Sequence, residues 1–173
     1  TTPGSHSQSK DVGNTTSTTL TDVVDCTVYY VVARAYDTGG LESGSDSNQV
    51  KGFGRPVVNT VSPGTIRQGE TKTFTVGGTN FDAGVTNDPS RPPARVKLSH
   101  TGLTVISSRV DACGQMTVTI QAKTDAAPGF SSLTVENPDL SYTDPANHPW
   151  TFGTKDQAIE VQAADTTPPQ VSS

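Results

Sequence analysis

Acid–base chemistry would centre on the histidines, and the chain has three, His6, His100 and His148. A hydrolytic triad needs a nucleophile, a base and an orienting carboxylate held in contact. These histidines sit in unrelated segments and no Gly-x-Ser-x-Gly elbow accompanies them, so each reads as a solvated loop residue. No Cys-x-x-Cys or His-Glu-x-x-His spacing offers a zinc site. No Cys-x-x-Cys-His offers a haem attachment, and no glycine loop opens a helix to cradle phosphate. The expectation is a non-catalytic chain with no cofactor. Two loops keep a chemical alternative. Asp37-Thr-Gly-Gly-Leu-Glu-Ser-Gly-Ser-Asp46 carries the carboxylates of Asp37, Glu42 and Asp46. Calcium wants several such oxygens converging, but the composition also suits a polar turn between strands, which is the favoured reading. Asp144-Pro-Ala-Asn-His-Pro-Trp150 is the aromatic-rich loop, with Tyr142 and Phe152 beside it. Tyr142, His148, Trp150 and Phe152 offer a surface to stack on a sugar ring or anchor a partner. A tryptophan closing the end of a core is the commoner use of such a position.

The elements that would position these residues are strands. Over 173 residues, hydrophobic residues make up 31% and charged residues 17%, while Gly 16 and Pro 12 join many Thr and Ser. That mixture suits short strands punctuated by turns. Thr27 to Asp37 alternates: Tyr29, Val31, Ala33 and Ala35 fall on one face, Tyr30, Val32, Arg34 and Tyr36 on the other. Further strands are expected at Thr16–Val23, Ser47–Phe53, Val57–Val61, Thr71–Val76, Arg95–Ser99, Leu103–Val110, Met116–Ala122, Ser131–Glu136 and Ala158–Val161. Turn signals such as Asp37-Thr-Gly-Gly, Ser62-Pro-Gly and Ala127-Pro-Gly separate them. The pattern indicates β-sandwiches. No apolar run is long enough to span a membrane. A net charge of −5 argues against nucleic acid as a partner.

Gly52-Phe-Gly-Arg-Pro56 ends one strand set, and an apolar segment opens at Val57. Asp165-Thr-Thr-Pro-Pro169 marks a second boundary, because paired prolines favour an extended spacer. The expected organisation is a first unit over 1–55, a second over 56–163 and a linker over 164–173.

The first unit resembles the C-terminal half of a bacterial-type fibronectin type III domain. The motifs are Thr2-Pro-Gly-Ser-His-Ser, Asp11-Val-Gly-Asn-Thr-Thr, Thr18-Thr-Leu-Thr-Asp-Val, Tyr29-Tyr-Val-Val-Ala-Arg-Ala-Tyr-Asp, Gly40-Leu-Glu-Ser-Gly and Ser47-Asn-Gln-Val. The resemblance implies strands C′, E, F and G, with a tyrosine corner in which the Tyr29 hydroxyl ties back past Asp25-Cys26. Strands A, B and C have no counterpart, so the face of Tyr29 and Val31 lacks a cover. Either the chain is a fragment of a longer protein, or a neighbouring copy donates strands, as in strand-complemented fibres.

The second unit resembles an IPT/TIG module of the immunoglobulin-like class. Its motifs are Pro56-Val-Val-Asn-Thr-Val-Ser-Pro-Gly, Gly69-Glu-Thr-Lys-Thr-Phe-Thr-Val, Gly77-Gly-Thr-Asn-Phe, Met116-Thr-Val-Thr-Ile, Asp125-Ala-Ala-Pro-Gly and Leu133-Thr-Val-Glu-Asn-Pro-Asp. Beyond Asp139 the pattern departs, and Leu140 to Asp156 is longer and more polar than the family's path to its last strand. The fold expected is all-β, tandem immunoglobulin-like sandwiches with the first incomplete. The resemblances imply a structural, spacing or adhesive segment of a bacterial extracellular or cell-surface protein. Its partners would be the flanking modules of the same polypeptide, or neighbouring copies through strand pairing. The alternative is an accessory region, binding carbohydrate or a partner, of a secreted polysaccharide-active enzyme. The resemblances also place Cys26 near the inter-unit junction and Cys113 in a hairpin tip at the far end of the second unit. No bond between them is expected.

Overall fold

Eight strands build two facing sheets downstream of residue 55, and a two-stranded ribbon precedes them. The computed structural model describes residues 8–15, 17–21, 23–85, 91–138 and 150–165, and no helix occurs among them. The ribbon pairs β1 (Tyr29–Val31) with β2 (Val50–Gly52). The remaining strands are β3 (Val57–Ser62), β4 (Thr65–Arg67), β5 (Thr71–Thr79), β6 (Arg95–Leu98), β7 (Leu103–Ala112), β8 (Gln115–Ala122), β9 (Gly129–Pro138) and β10 (Trp150–Gln162). One sheet has the order β3-β5-β8-β7, the other β4-β10-β9-β6. This is the strand arrangement of an immunoglobulin-type sandwich, with the first strand split between the sheets. The all-β expectation holds, and so does the sandwich.

Alternation builds the core. On β8, Met116, Val118, Ile120 and Ala122 are buried while Thr117, Thr119 and Gln121 alternate with them. Phe74 and Val76 on β5 lie beside them in the same sheet, and Leu133 and Val135 on β9 close the layer from the other sheet. In the Gly77-Gly-Thr-Asn-Phe segment Asn80 takes a left-handed φ of 58° and Phe81 is buried. Gly78 has a steric reason, since a methyl there would run into the Val57 carbonyl.

Four expectations change. Regular pairing in Thr27–Asp37 is confined to Tyr29–Val31, with an isolated bridge between Tyr36 and Glu42. Ala33 and Ala35 are exposed, because the ribbon has no second layer among the described residues. The described part of Thr16–Val23 is not a strand, for the same reason: its Thr and Val residues have no layer to bury against. The last strand begins at Trp150 rather than Ala158; an irregularity between Lys155 and Ile159, where Gln157 has a φ of 48°, interrupts its alternation. β4 goes unanticipated because three residues pairing in parallel with the end of β10 leave no periodic signal.

The fourth change is a disulfide. Cys26 and Cys113 are bonded, with Cα atoms 5.8 Å apart, which overturns the expectation that they stay separate. The error lay in the placement of the hairpin tip. β3 starts at the linker and runs antiparallel to β5, so Thr79, at the end of β5, lies opposite Val57. β8 runs antiparallel to β5, so its start at Gln115 lies beside Gly77. The β7–β8 tip therefore sits at the linker pole.

Candidate functional site

Two surfaces combine chemistry-bearing residues. The first is the pole where the linker enters. Cys26 occupies a tight corner with a left-handed φ of 68°, and the Tyr29 hydroxyl accepts the Val24 N–H at 2.6 Å, forming the expected tyrosine corner. From the other side Asn80 reaches across. Its Oδ1 accepts the Cys26 N–H at 2.7 Å, and its Nδ2 donates to Asp25 Oδ1 at 2.8 Å and to the Arg55 carbonyl at 3.2 Å. Asn137 backs it, donating to the carbonyls of Asn80 at 2.6 Å and Gly54 at 3.3 Å. Buried Asp82 accepts Nε and Nη2 of Arg91 at 3.1 and 3.0 Å, and that guanidinium also lies 5.9 Å from the centre of the Phe53 ring. A disulfide and a network of satisfied buried polar groups thus join the ribbon region, the linker and the sandwich.

The second surface is the solvent face of β6, β9 and β10. Register sets Phe152, Glu136 and Arg95 abreast across the three strands, with Thr154, Thr134 and Lys97 in the next row. Glu136, only 8% exposed, accepts Arg95 Nε at 2.7 Å and Lys97 Nζ at 2.9 Å. Burial is the largest single influence on its carboxyl and pushes it up. The hydrogen bonds and charges of Lys97 and Arg95 outweigh that and hold it below the ordinary carboxylate range. The Arg95 guanidinium stacks 3.7 Å from the Trp150 ring centre. The Arg55 guanidinium lies 5.6 Å from that of Phe152, and its Nη2 donates to the Phe152 carbonyl at 3.1 Å. A groove of about 410 Å³ runs beside them, lined by Arg55, Pro56, Val57, Val58, Phe152, Gly153 and Thr154.

Residues 55–139 match the family model for quinohemoprotein amine dehydrogenase, alpha subunit domain III. No curated protein matches the chain. The matched stretch is a little under half of the chain, runs from β3 through β9 and corresponds to a β-rich, sandwich-type domain of an enzyme subunit. A covalently held haem does not fit this chain, because its two cysteines are bonded to each other and neither thiol is free.

The residues singled out from sequence part company. Asp37 Oδ1 accepts the backbone N–H groups of Gly39 at 2.8 Å and Leu41 at 3.0 Å. Glu42 and Asp46 both pair with Arg34, whose guanidinium they hold more firmly protonated, the Asp46 hydrogen bond contributing most. The loop is a hydrogen-bonded turn whose Glu42 and Asp46 share one cation, and no cluster of three metal-ligating side chains occurs among the described residues. His100 works in a turn, accepting the Gly102 N–H at Nδ1 (3.0 Å) while Nε2 contacts the Ala127 carbonyl at 2.9 Å. Tyr142 and His148 lie outside the described residues. Trp150 and Phe152 are brought together on β10, on a sheet face rather than a loop. Sequence reasoning missed Arg55 and Arg95, which reach the two rings by register and by the return of the linker, neither of which leaves a local motif.

Proposed function

We propose that the chain is a non-catalytic spacer holding neighbouring modules of one extracellular polypeptide at a fixed distance and orientation. The observation that carries this is the clamped entry pole, where the Cys26–Cys113 bond and the Asn80 hydrogen bonds stiffen a linker that two glycines would otherwise leave free. The exit supports it. β10 ends beside Arg67, and Gln68 and Arg67 hold the outgoing chain through Ala164 and Asp165. Entry and exit lie at opposite ends of β5, so the sandwich extends a line of modules. The disulfide also favours an oxidising, extracytoplasmic compartment. The tyrosine corner and the split first strand are consistent with a fibronectin type III half followed by an IPT/TIG module. Among the described residues the β1–β2 ribbon has no third strand, which suits pairing with a flanking module or a neighbouring copy.

A second role, as accessory region of a secreted enzyme, is favoured by the match to a domain of an enzyme subunit. Residual dipolar couplings on the oxidised chain test the spacer role. Residues 23–52 and 55–138 should fit one alignment tensor. Two independent tensors would rule out a rigid spacer.

A further inference from the structure

We propose that the groove between β3 and β10, with the adjoining Arg95–Trp150 stack, binds a carboxylate-bearing sugar chain, a uronate polysaccharide. This goes beyond the spacer role and does not depend on it. Four observations converge. The groove, about 410 Å³ in size, is within the range that holds small ligands. Its wall is Phe152, 52% exposed on a sheet face where a large apolar ring has no core to fill and where a pyranose can lay its C–H face. Charge runs against the molecule: the chain carries −5 overall, yet here Arg95 and Lys97 share the one carboxylate of Glu136 and Arg55 lies over the Phe152 ring. Finally, the cations are placed for planar recognition. A guanidinium lying on a ring presents its N–H edge sideways, in the geometry that forks onto a carboxylate. Arg95 already lies on Trp150 with Nε on Glu136.

The same geometry disfavours an acidic peptide. β4 pairs β10 only at Glu160–Gln162, so the Trp150–Thr154 edge would be the natural place for an added strand. There Arg55 takes the Phe152 carbonyl, and Gly153 is packed so closely on Pro56 that a methyl would strike the Pro56 carbonyl. Strand addition is blocked there, while the Phe152 ring stays half exposed among the described residues.

The test is titration of the full oxidised chain at about 0.15 M salt with oligogalacturonate, a neutral cello-oligosaccharide and poly-glutamate, followed by amide chemical shifts. Oligogalacturonate should shift Arg95, Thr134, Phe152 and Thr154, with the neutral glucan and poly-glutamate at least ~10-fold weaker. Phe152→Ala and Arg95→Lys, both at exposed positions, should each weaken uronate binding by roughly 10-fold, with thermal unfolding confirming that they fold. Absence of uronate binding, equal binding of neutral glucan or poly-glutamate, or full binding by folded Arg95→Lys would each overturn the proposal. None of these outcomes touches the dipolar-coupling test of the spacer.

Discussion

The regions before and after residue 55 use similar residues and end in different states. Tyr29–Tyr36 and Met116–Ala122 both alternate. The second becomes an eight-residue strand with four buried side chains. The first yields three paired residues, all half-buried. Alternation specifies which side chains share a face, but a strand is stabilised only when that face meets another layer. β8 meets Leu133 and Val135 across the core, whereas β1 meets no second layer among the described residues. The first region is held instead by polar and covalent ties at its corner: the Tyr29 hydroxyl, Asn80 and the disulfide.

The contrast can be broken most strongly at Phe74. Phe74→Ala leaves a cavity between the sheets and should cost the sandwich about 3–5 kcal/mol in denaturant unfolding, while Tyr30→Ala in the ribbon should cost well under half of that. Equal losses would mean that the ribbon has a core of its own. Removing the clamp comes next. Cys26→Ser with Cys113→Ser opens a crosslink across 87 residues and should remove about 2–4 kcal/mol. Amide exchange should then speed up over residues 23–52 while β5 and β8 stay protected. A smaller effect is expected for Tyr29→Phe, about 1 kcal/mol, read as faster exchange at Val24 and Cys26. The smallest is a pH effect. Glu70 is held below its ordinary value of 4.5 mainly by the Arg67 N–H, and Glu136 by Lys97 and Arg95 against the opposing effect of burial. A carboxyl depressed in the folded state contributes stability above its unfolded value and loses it as pH falls through the folded one. The melting temperature should therefore decline below about pH 4.5. Glu70→Gln should flatten part of that decline, and an unchanged slope would show that the Arg67 N–H bond contributes nothing.

Much of the sandwich is legible in the sequence, because β8 and the middle of β5 and β9 alternate and glycine, asparagine and proline mark the turns. What escapes is non-local. The polar residues Lys155, Asp156 and Gln157 hide a strand that runs through an irregularity. The Cys26–Cys113 pairing follows from counting antiparallel reversals from the linker, which requires the strand order and not only the strand list. Trp150 and Phe152 are visible as aromatics, yet their setting comes from Arg95 on β6, beyond β9 in the same sheet, and from Arg55 in the linker, both far away in sequence. The acidic loop reads from sequence as a polar turn, with calcium as the alternative. Its carboxylates are conspicuous, and only folding shows that Arg34 and backbone amides already occupy them.

The Cys26–Cys113 bond also decides how a pull would travel. Tension arriving through residues before 26 meets a covalent shortcut into the β7–β8 hairpin tip, and everything from residue 27 to 112 lies off the direct route. The glycine-bearing linker and the start of β3 would then stay slack under load, while β8 and its neighbours take the strain lengthwise, as rows of hydrogen bonds loaded in shear.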